Sequence, residues 1–360
     1  MDSSQPKAIV LTPQTDTQAA SSLPRPIGSL VDRYGRVHTS LRVSVTDACN
    51  IRCTYCMPEK VSGFLPQDRL LGFDSIARLV HVLVRAGVRK VRLTGGEPLM
   101  RPNLSQLVQR LSAIVGLEQL ALTTNGMLLS EQIDGLVAAG LTHINLSLDT
   151  LREPAFLQIS RRDGLDRVLE GIQAAVESPL HVRINALLLR DINLEDCLPL
   201  VGYARKLGVV LRFIEFMPLD ANRSWSRTQV VTGAEIRELV EAQYGALVPQ
   251  DRADASQPSR DFHFADGVGG IGLISPVSEP FCSSCNRLRL TADGKFRNCL
   301  FGKQEWEVKR LLEPPLGQED CSDEDLLAVA KACVEQKHAS HGISDSDFQP
   351  PARAMYQIGG

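Results

Sequence analysis

From residue 40 the chain alternates strand-like and helix-like stretches six times, and the strand-like runs are apolar on one face and polar on the other. The strand-like runs are 41–46, 90–94, 119–124, 143–149, 181–189 and 211–217. The helix-length stretches between them are 73–86, 104–115, 130–139, 165–177 and 194–207. Asp74 and Ser130 read as N-caps, and Gly87, Gly140 and Gly208 as helix stops. Such alternation predicts a parallel sheet covered by helices.

Side chains along a strand point to opposite faces in turn. Leu41, Val43 and Val45 therefore oppose Arg42, Ser44 and Thr46, and Val91 and Leu93 oppose Arg92 and Thr94. Thr123 and Asn125 lie together; Ile144, Leu146 and Leu148 oppose Asn145, Ser147 and Asp149; Val182, Ile184 and Ala186 oppose Arg183 and Asn185. Helices cover the apolar faces, so the polar faces point into the middle. A doubly wound open sheet would make its strands apolar on both faces. A closed eight-stranded barrel would fill its centre with branched aliphatics. The pattern instead predicts an α/β fold: an incomplete six-stranded (βα)6 TIM-like barrel with a wet lumen. Its functional residues belong at the strand C-terminal ends. Those ends carry the loop after Thr46, Gly95-Gly96-Glu97-Pro98, Thr124-Asn125-Gly126, Ser147–Asp149 and 215–217. In the last run alternation sets Arg212 opposite Glu215 and Met217, which makes it the weakest of the arginine candidates.

The loop after the first strand holds Cys49-Asn-Ile-Arg-Cys53-Thr-Tyr-Cys56, three thiols at C-x3-C-x2-C spacing. Three thiolates on one loop can hold a metal centre and leave a ligand position open. An iron–sulfur cluster normally takes four cysteines, so a four-iron cluster here would keep one iron free for a small molecule. Buried packing thiols, or zinc completed by a distant ligand, are the alternatives. Beyond residue 217 the alternation stops. A helix at 234–244, a polar connector to 260 and a glycine-rich run at 267–272 lead to Cys282-Ser-Ser-Cys285 and, after thirteen intervening residues, Cys299. Between them, 287–290 and 296–300 flank Asp293-Gly294 and read as a hairpin that folds Cys299 back onto the pair. C-x2-C serves zinc as readily as iron–sulfur, but His263 lies too far upstream, and Cys321 too far past the hairpin, to complete a ribbon. The segments 305–312 and 323–338 read as helices, followed by a polar tail to Gly359-Gly360.

Nine cysteines in 360 residues, with no signal peptide, point to a reducing compartment and metal ligation, and hence to the cytoplasm. A net charge of −3 argues against a general nucleic-acid surface, and no apolar run is long enough to span a membrane. Residues 1–25, rich in Ser, Thr, Gln and Pro, read as a disordered tail; Asp2, Asp16 and the scarcity of arginine argue against a transit peptide. The expected divisions are that tail, the partial barrel at 26–219, a C-terminal region at 220–345 and a final tail at 346–360.

Gly95-Gly96-Glu97-Pro98 is not a phosphate loop, because it lacks the lysine and the spacing. Its glycines let the backbone approach a ligand, and Glu97 could hold an amino group. Arg42, Arg92 and Arg183 fall on inward faces, where an unpaired charge is costly. They call for an anionic ligand, and a phosphate suits the planar guanidinium.

Taken together, these motifs resemble the radical S-adenosylmethionine superfamily, and within it the GTP 3′,8-cyclase family of molybdenum cofactor biosynthesis. The resemblance covers roughly residues 40–360. It rests on Asp47-Ala-Cys49-Asn-Ile-Arg-Cys53-Thr-Tyr-Cys56-Met-Pro, Arg92-Leu-Thr-Gly-Gly-Glu-Pro, Thr123-Thr-Asn-Gly, Cys282-Ser-Ser-Cys285-Asn-Arg-Leu-Arg, Asn298-Cys299-Leu-Phe-Gly and the terminal Gly359-Gly360. It implies two [4Fe–4S] clusters, one on Cys49, Cys53 and Cys56 and one on Cys282, Cys285 and Cys299, the second in the C-terminal region. It implies that Tyr55, Gly96, Ser147 and Met217 line the S-adenosylmethionine site. It implies that Arg42, Arg92, Thr123, Arg183, Arg287, Leu288 and Arg289 contact GTP. Arg42, Arg287, Arg289, Gly359 and Gly360 are further implied in the chemistry, the last two by threading into the substrate pocket. The family often has lysine where this chain has Arg183. The resemblance also implies an electron-donor protein, a homodimer, and a downstream cyclic pyranopterin monophosphate synthase that receives the product. A radical S-adenosylmethionine enzyme that uses its auxiliary cluster on a peptide, and a zinc-ribbon binding module on a barrel, are the other readings.

Overall fold

The computed structural model describes residues 28–252, 254–315, 317–318 and 321–359. The expectation of a disordered stretch at 1–25, and Gly360, lie outside them. Six parallel strands run in sequence order: β1 (Ser40–Ser44), β2 (Lys90–Thr94), β3 (Gln119–Thr124), β4 (His143–Ser147), β5 (His181–Leu187) and β6 (Val210–Ile214). Their apolar faces turn outward under the helices, where Leu41, Val43, Leu93, Leu122, Ile144 and Leu146 are fully buried. Burial of each such side chain contributes about 1.5–3 kcal/mol. The helix stops behave as expected: Gly87, Gly140 and Gly208 adopt φ of 104°, 97° and 70°, a region that suits glycine.

The C-terminal region completes this sheet. After β7 (Leu247–Pro249) and β8 (Arg260–Phe264), β9 (Gly270–Ile274) pairs parallel with β6. At the other edge β10 (Arg287–Leu290) pairs parallel with β1, and β11 (Lys295–Arg297) and β12 (Trp306–Glu307) follow antiparallel. The result is one open sheet of twelve strands, ordered β12-β11-β10-β1-β2-β3-β4-β5-β6-β9-β8-β7. Eight of them are parallel and form the incomplete barrel. The Asp293-Gly294 turn of the expected hairpin is present, with Gly294 at φ 74°.

Several local expectations are corrected. The first helix (Phe73–Arg85) is capped by Gly72, and Asp74 pairs with Arg110 at 3.3 Å instead. The third helix starts at Ile133, not Ser130, because turns closed by Gly126 and Leu129 carbonyls delay it. Residues 306–307 are drawn into the sheet by β11, which leaves only Lys309–Leu312 helical in that segment. A helix at Glu153–Ser160 was not anticipated. Arg212 faces the lumen, since β6 ends at Ile214 and alternation does not carry on to Glu215 and Met217. Among the described residues no helix is long and apolar enough to cross a membrane.

Candidate active site

The cysteine loop leaves β1 at the C-terminal end of the barrel and is pinned by backbone. Arg52 and Thr54 N–H groups donate to the Ser160 and Ile159 carbonyls at 2.7 and 3.0 Å, so the unanticipated helix is what holds the loop. Cys56 and Met57 N–H groups close a turn on the Cys53 carbonyl, each at 2.9 Å. From the other side, Gly96 and Glu97 donate to the Thr46 and Ala48 carbonyls at 2.8 and 2.7 Å. A Cβ on Gly96 would collide with the Ala48 and Asp47 carbonyl oxygens. That close approach is what the pair of glycines permits. Glu97 has a different part from the one expected. Its buried carboxylate accepts from Leu99 N, Thr124 Oγ1 and Asn125 N at 3.0, 2.7 and 2.7 Å, tying the ends of β2 and β3 together. Burial still pushes it up to about 7, against the pull of those donors.

Burial, and the Glu97 charge after it, push the Cys49 thiol up to about 12; burial and Cys49 push Cys56 to about 12 as well. Such thiols keep their protons until a metal displaces them, since a coordinated thiol is deprotonated outright. Among the described residues no three His, Cys, Asp or Glu side chains are drawn together as the ligands of a single ion. The donor set suits a multi-iron cluster, in which cysteines bind separate irons. Tyr55 beside them donates to Asp149 Oδ2 at 2.6 Å, and the Leu187 N–H donates to Asp149 Oδ1 at 2.8 Å.

One cavity of about 460 Å³ is lined by both thiol trios and by the inward faces of the strands between them. Strand register stacks its arginines: Arg42 lies opposite Arg92 on β2 and opposite Arg289 on β10. Burial, then the neighbouring Arg287, lowers Arg42 to about 10; burial, then Arg42, Arg183 and Arg212, lowers Arg92 to about 9. Arg289 is pushed down further by burial and by Arg42 and Arg287. Arg183 is lowered by burial and Arg212. The ion pairs of the lumen are Arg212–Asp261 at 2.9 Å and Lys90–Asp254 at 2.5 Å. Among the described residues no carboxylate pairs with Arg42, Arg92, Arg183, Arg287 or Arg289. The lumen thus carries an excess of positive charge that suits an anionic ligand.

At the far side Cys282, Cys285 and Cys299 line the cavity near β10. Cys285 is lowered to about 6, because Arg287 and then Lys337 outweigh its burial. Lys337 is itself buried and donates to the Arg287 carbonyl at 2.8 Å. The chain end then re-enters the barrel. Met355 N donates to the Leu219 carbonyl at 3.2 Å, Tyr356 N–H donates to the Cys56 thiol, and Arg289 Nη1 donates to the Gly359 carbonyl at 2.6 Å. Gly359 sits at φ 81°, where a Cβ would lie 2.6 Å from Thr94 Oγ1 and 2.9 Å from Ser44 Cβ.

Of the candidates named from sequence, Tyr55, Gly96, Ser147, Met217, Arg42, Arg92, Thr123, Arg183, Arg287, Arg289 and all six cysteines line this cavity. Leu288 does not. Its side chain is fully buried on the opposite face, in register with Leu41, and only its backbone is on offer to a substrate. Sequence reasoning set Asn185 on an inward face without naming it a site residue, and missed Lys90 and the connector residues Asp254, Ser256, Gln257 and Pro258, all of which line the cavity. For Lys90 and Asn185 the signal was the same period-2 alternation that found Arg92.

Comparison with known proteins gives two domain families. Residues 43–204 match the radical SAM superfamily and residues 209–343 match Molybdenum Cofactor Synthesis C. A GTP 3′,8-cyclase of Rhodopirellula baltica is 47% identical over 336 residues, covering 92% of each chain. A GTP 3′,8-cyclase of Mycolicibacterium smegmatis is 42% identical over 353 residues, covering 96% of each. The fold is similar to the crystal structure of Streptococcus suis SuiB bound to S-adenosylmethionine, with TM-score 0.57 at 13% identity over 78% of this chain and 66% of that one. Membership of the radical SAM superfamily brings with it one [4Fe–4S] cluster and S-adenosylmethionine. On identity sustained over nearly its whole length, and on both domain matches, the chain belongs to the GTP 3′,8-cyclase family.

Proposed function

We propose that this enzyme cyclises GTP to (8S)-3′,8-cyclo-7,8-dihydroguanosine 5′-triphosphate, the first step of molybdenum cofactor biosynthesis. The observation that carries the substrate is the stack of arginines without carboxylate partners in the cavity between two thiol trios. Cys49, Cys53 and Cys56 hold the cluster that works with S-adenosylmethionine, and Tyr55, Gly96, Ser147 and Met217 form the walls around that ligand. Cys282, Cys285 and Cys299 would hold a second [4Fe–4S] cluster, which would supply a binding point for the guanine base. When bound, the first cluster and S-adenosylmethionine supply a 5′-deoxyadenosyl radical that removes the ribose 3′ hydrogen.

The chain's own residues supply placement. Arg92, Arg183 and Arg42 hold the triphosphate. Thr123, which accepts from Arg92 Nη1 at 3.3 Å, shares that job. Arg287, the Leu288 backbone and Arg289 hold the nucleoside against the second cluster. C3′ then meets C8 of the same molecule only if the nucleotide is clamped in a near-attack geometry. Gly359 and Gly360 help position the reacting sugar; the Arg289–Gly359 contact supports this. An electron-donor protein, a homodimeric assembly and cyclic pyranopterin monophosphate synthase as recipient of the product complete the reading.

Anaerobic reconstitution followed by S-adenosylmethionine cleavage with each nucleoside triphosphate tests it. GTP alone should give a cyclised nucleotide in step with 5′-deoxyadenosine. Equal turnover of ATP, or a product that still carries the 3′ hydrogen, would overturn the assignment.

A further inference from the structure

We propose that Arg353 is a positioning residue for the cyclisation: a half-buried ionic clamp on Arg353 sets how deep Gly359 sits in the lumen. The inference rests on the reading of the terminal glycines given above. Among the described residues of the tail the one helical piece is Met355–Ile358, a single turn far too short to be stable by itself. Chain ends fray unless they are tied down. Here the tie lies just before the turn. Arg353 Nη1 and Nη2 bond both oxygens of Asp293 at 3.1 and 2.8 Å. Its Nη2 and Nε also bond Glu305 at 2.9 and 2.7 Å, and Arg297 grips Glu305 from the other side at 2.6 Å.

The choice of partners gives the clamp its meaning. Asp293 occupies the turn between β10 and β11, and β10 carries Arg287 and Arg289. The clamp therefore fixes the tail to the same hairpin that presents those two arginines. Six residues beyond Arg353, the Gly359 carbonyl meets Arg289, so the tail and the hairpin close a loop joined at both ends. Burial would raise the Asp293 carboxyl, yet the Arg353 and Thr291 hydrogen bonds bring it down to about 2. A planar two-sided fork satisfies two carboxylates at once, which a lysine ammonium cannot do with the same geometry.

The test uses full-length reconstituted holoenzyme and three variants: Arg353→Gln, a chain lacking residues 359 and 360, and the two combined. Arg353→Gln should keep its iron content and its S-adenosylmethionine cleavage. Cyclised product per 5′-deoxyadenosine should fall roughly tenfold to a hundredfold, the scale of a misplacement of about 1 Å. Backbone amides at 355–359 should exchange faster, while those of β10 and β11 stay protected. Arg353→Lys should recover part of the coupling. In the truncated chain Arg353→Gln should add no further loss of coupling. If truncation uncouples the reaction but Arg353→Gln only lowers thermal stability, the clamp is structural and this inference alone fails. If truncation is silent, the reading of the glycines fails and the clamp fails with it.

Discussion

Replacing Arg92 with methionine separates two opposite effects that one side chain has in this lumen. Arg92 is held by burial and by Arg42, Arg183 and Arg212 at a pKa of about 9, far below the ordinary arginine value. It is still protonated at neutral pH, so the ligand-free protein carries this charge at a cost. The sign follows from proton linkage. Between about 9 and the unfolded value the unfolded chain binds the extra proton, so below that window the charge destabilises the empty fold in full. Met keeps most of the volume and removes the charge. The ligand-free variant should therefore melt at or above the wild-type temperature. GTP binding should move the other way. One charge-assisted contact is worth on the order of 1.5–3 kcal/mol, which raises the dissociation constant roughly 10- to 150-fold. Calorimetric titration with GTP and with guanosine, at one ionic strength, reads both. The loss should be large for GTP and small for guanosine. An equal loss for guanosine, or a ligand-free variant that melts well below wild type, would refute the assignment of Arg92 to the triphosphate.

Replacing Cys49, Cys53 and Cys56 with alanine should leave about half of the iron, since two clusters of equal size are expected; S-adenosylmethionine cleavage should vanish. Zinc in place of iron after anaerobic purification would contradict this. Replacing Cys282 and Cys285 should weaken GTP binding and stop cyclisation, while slow uncoupled cleavage of S-adenosylmethionine survives. Its complete loss, in a folded variant that keeps its first cluster, would count against that division of labour. Gly96→Ala drives a methyl group into the Ala48 and Asp47 carbonyls, so it should displace the cysteine loop and lower S-adenosylmethionine affinity at least roughly tenfold. Unchanged affinity by equilibrium binding would mean that the loop yields without cost.

The barrel was legible because one-sided polarity repeats along its strands. Gln119–Thr124 and Leu165–Glu177 fall where the pattern put them, to the residue. The cavity residues follow from the same alternation, read outward from Arg42 and Arg92. Local pattern could not show what β9 and β10 pair with, because each pairs with a strand far back in the chain, β6 and β1, and such pairing leaves no periodic trace. The helix at Glu153–Ser160 escaped for another reason. It is short and its apolar residues do not share one face, Ala155 and Ile159 being buried and Leu157 exposed, and its visible task is to present the Ser160 and Ile159 carbonyls to the cysteine loop. Glu97 shows a third limit. Its residue type suits an amine ligand, but three donors on its own scaffold reach it first.

The late strands β9 and β10 also impose an order on synthesis. While the ribosome is still making residues 220–269, β1 and β6 each expose a full row of unpaired N–H and C=O groups. Open edges of that kind invite pairing with other nascent chains. β9 closes one edge at Gly270–Ile274, and β10 closes the other only at Arg287–Leu290. The hairpin that covers the β1 edge is therefore the one that carries Arg287 and Arg289 into the cavity. Closure of that edge and assembly of that wall of the cavity are one event in the life of the chain.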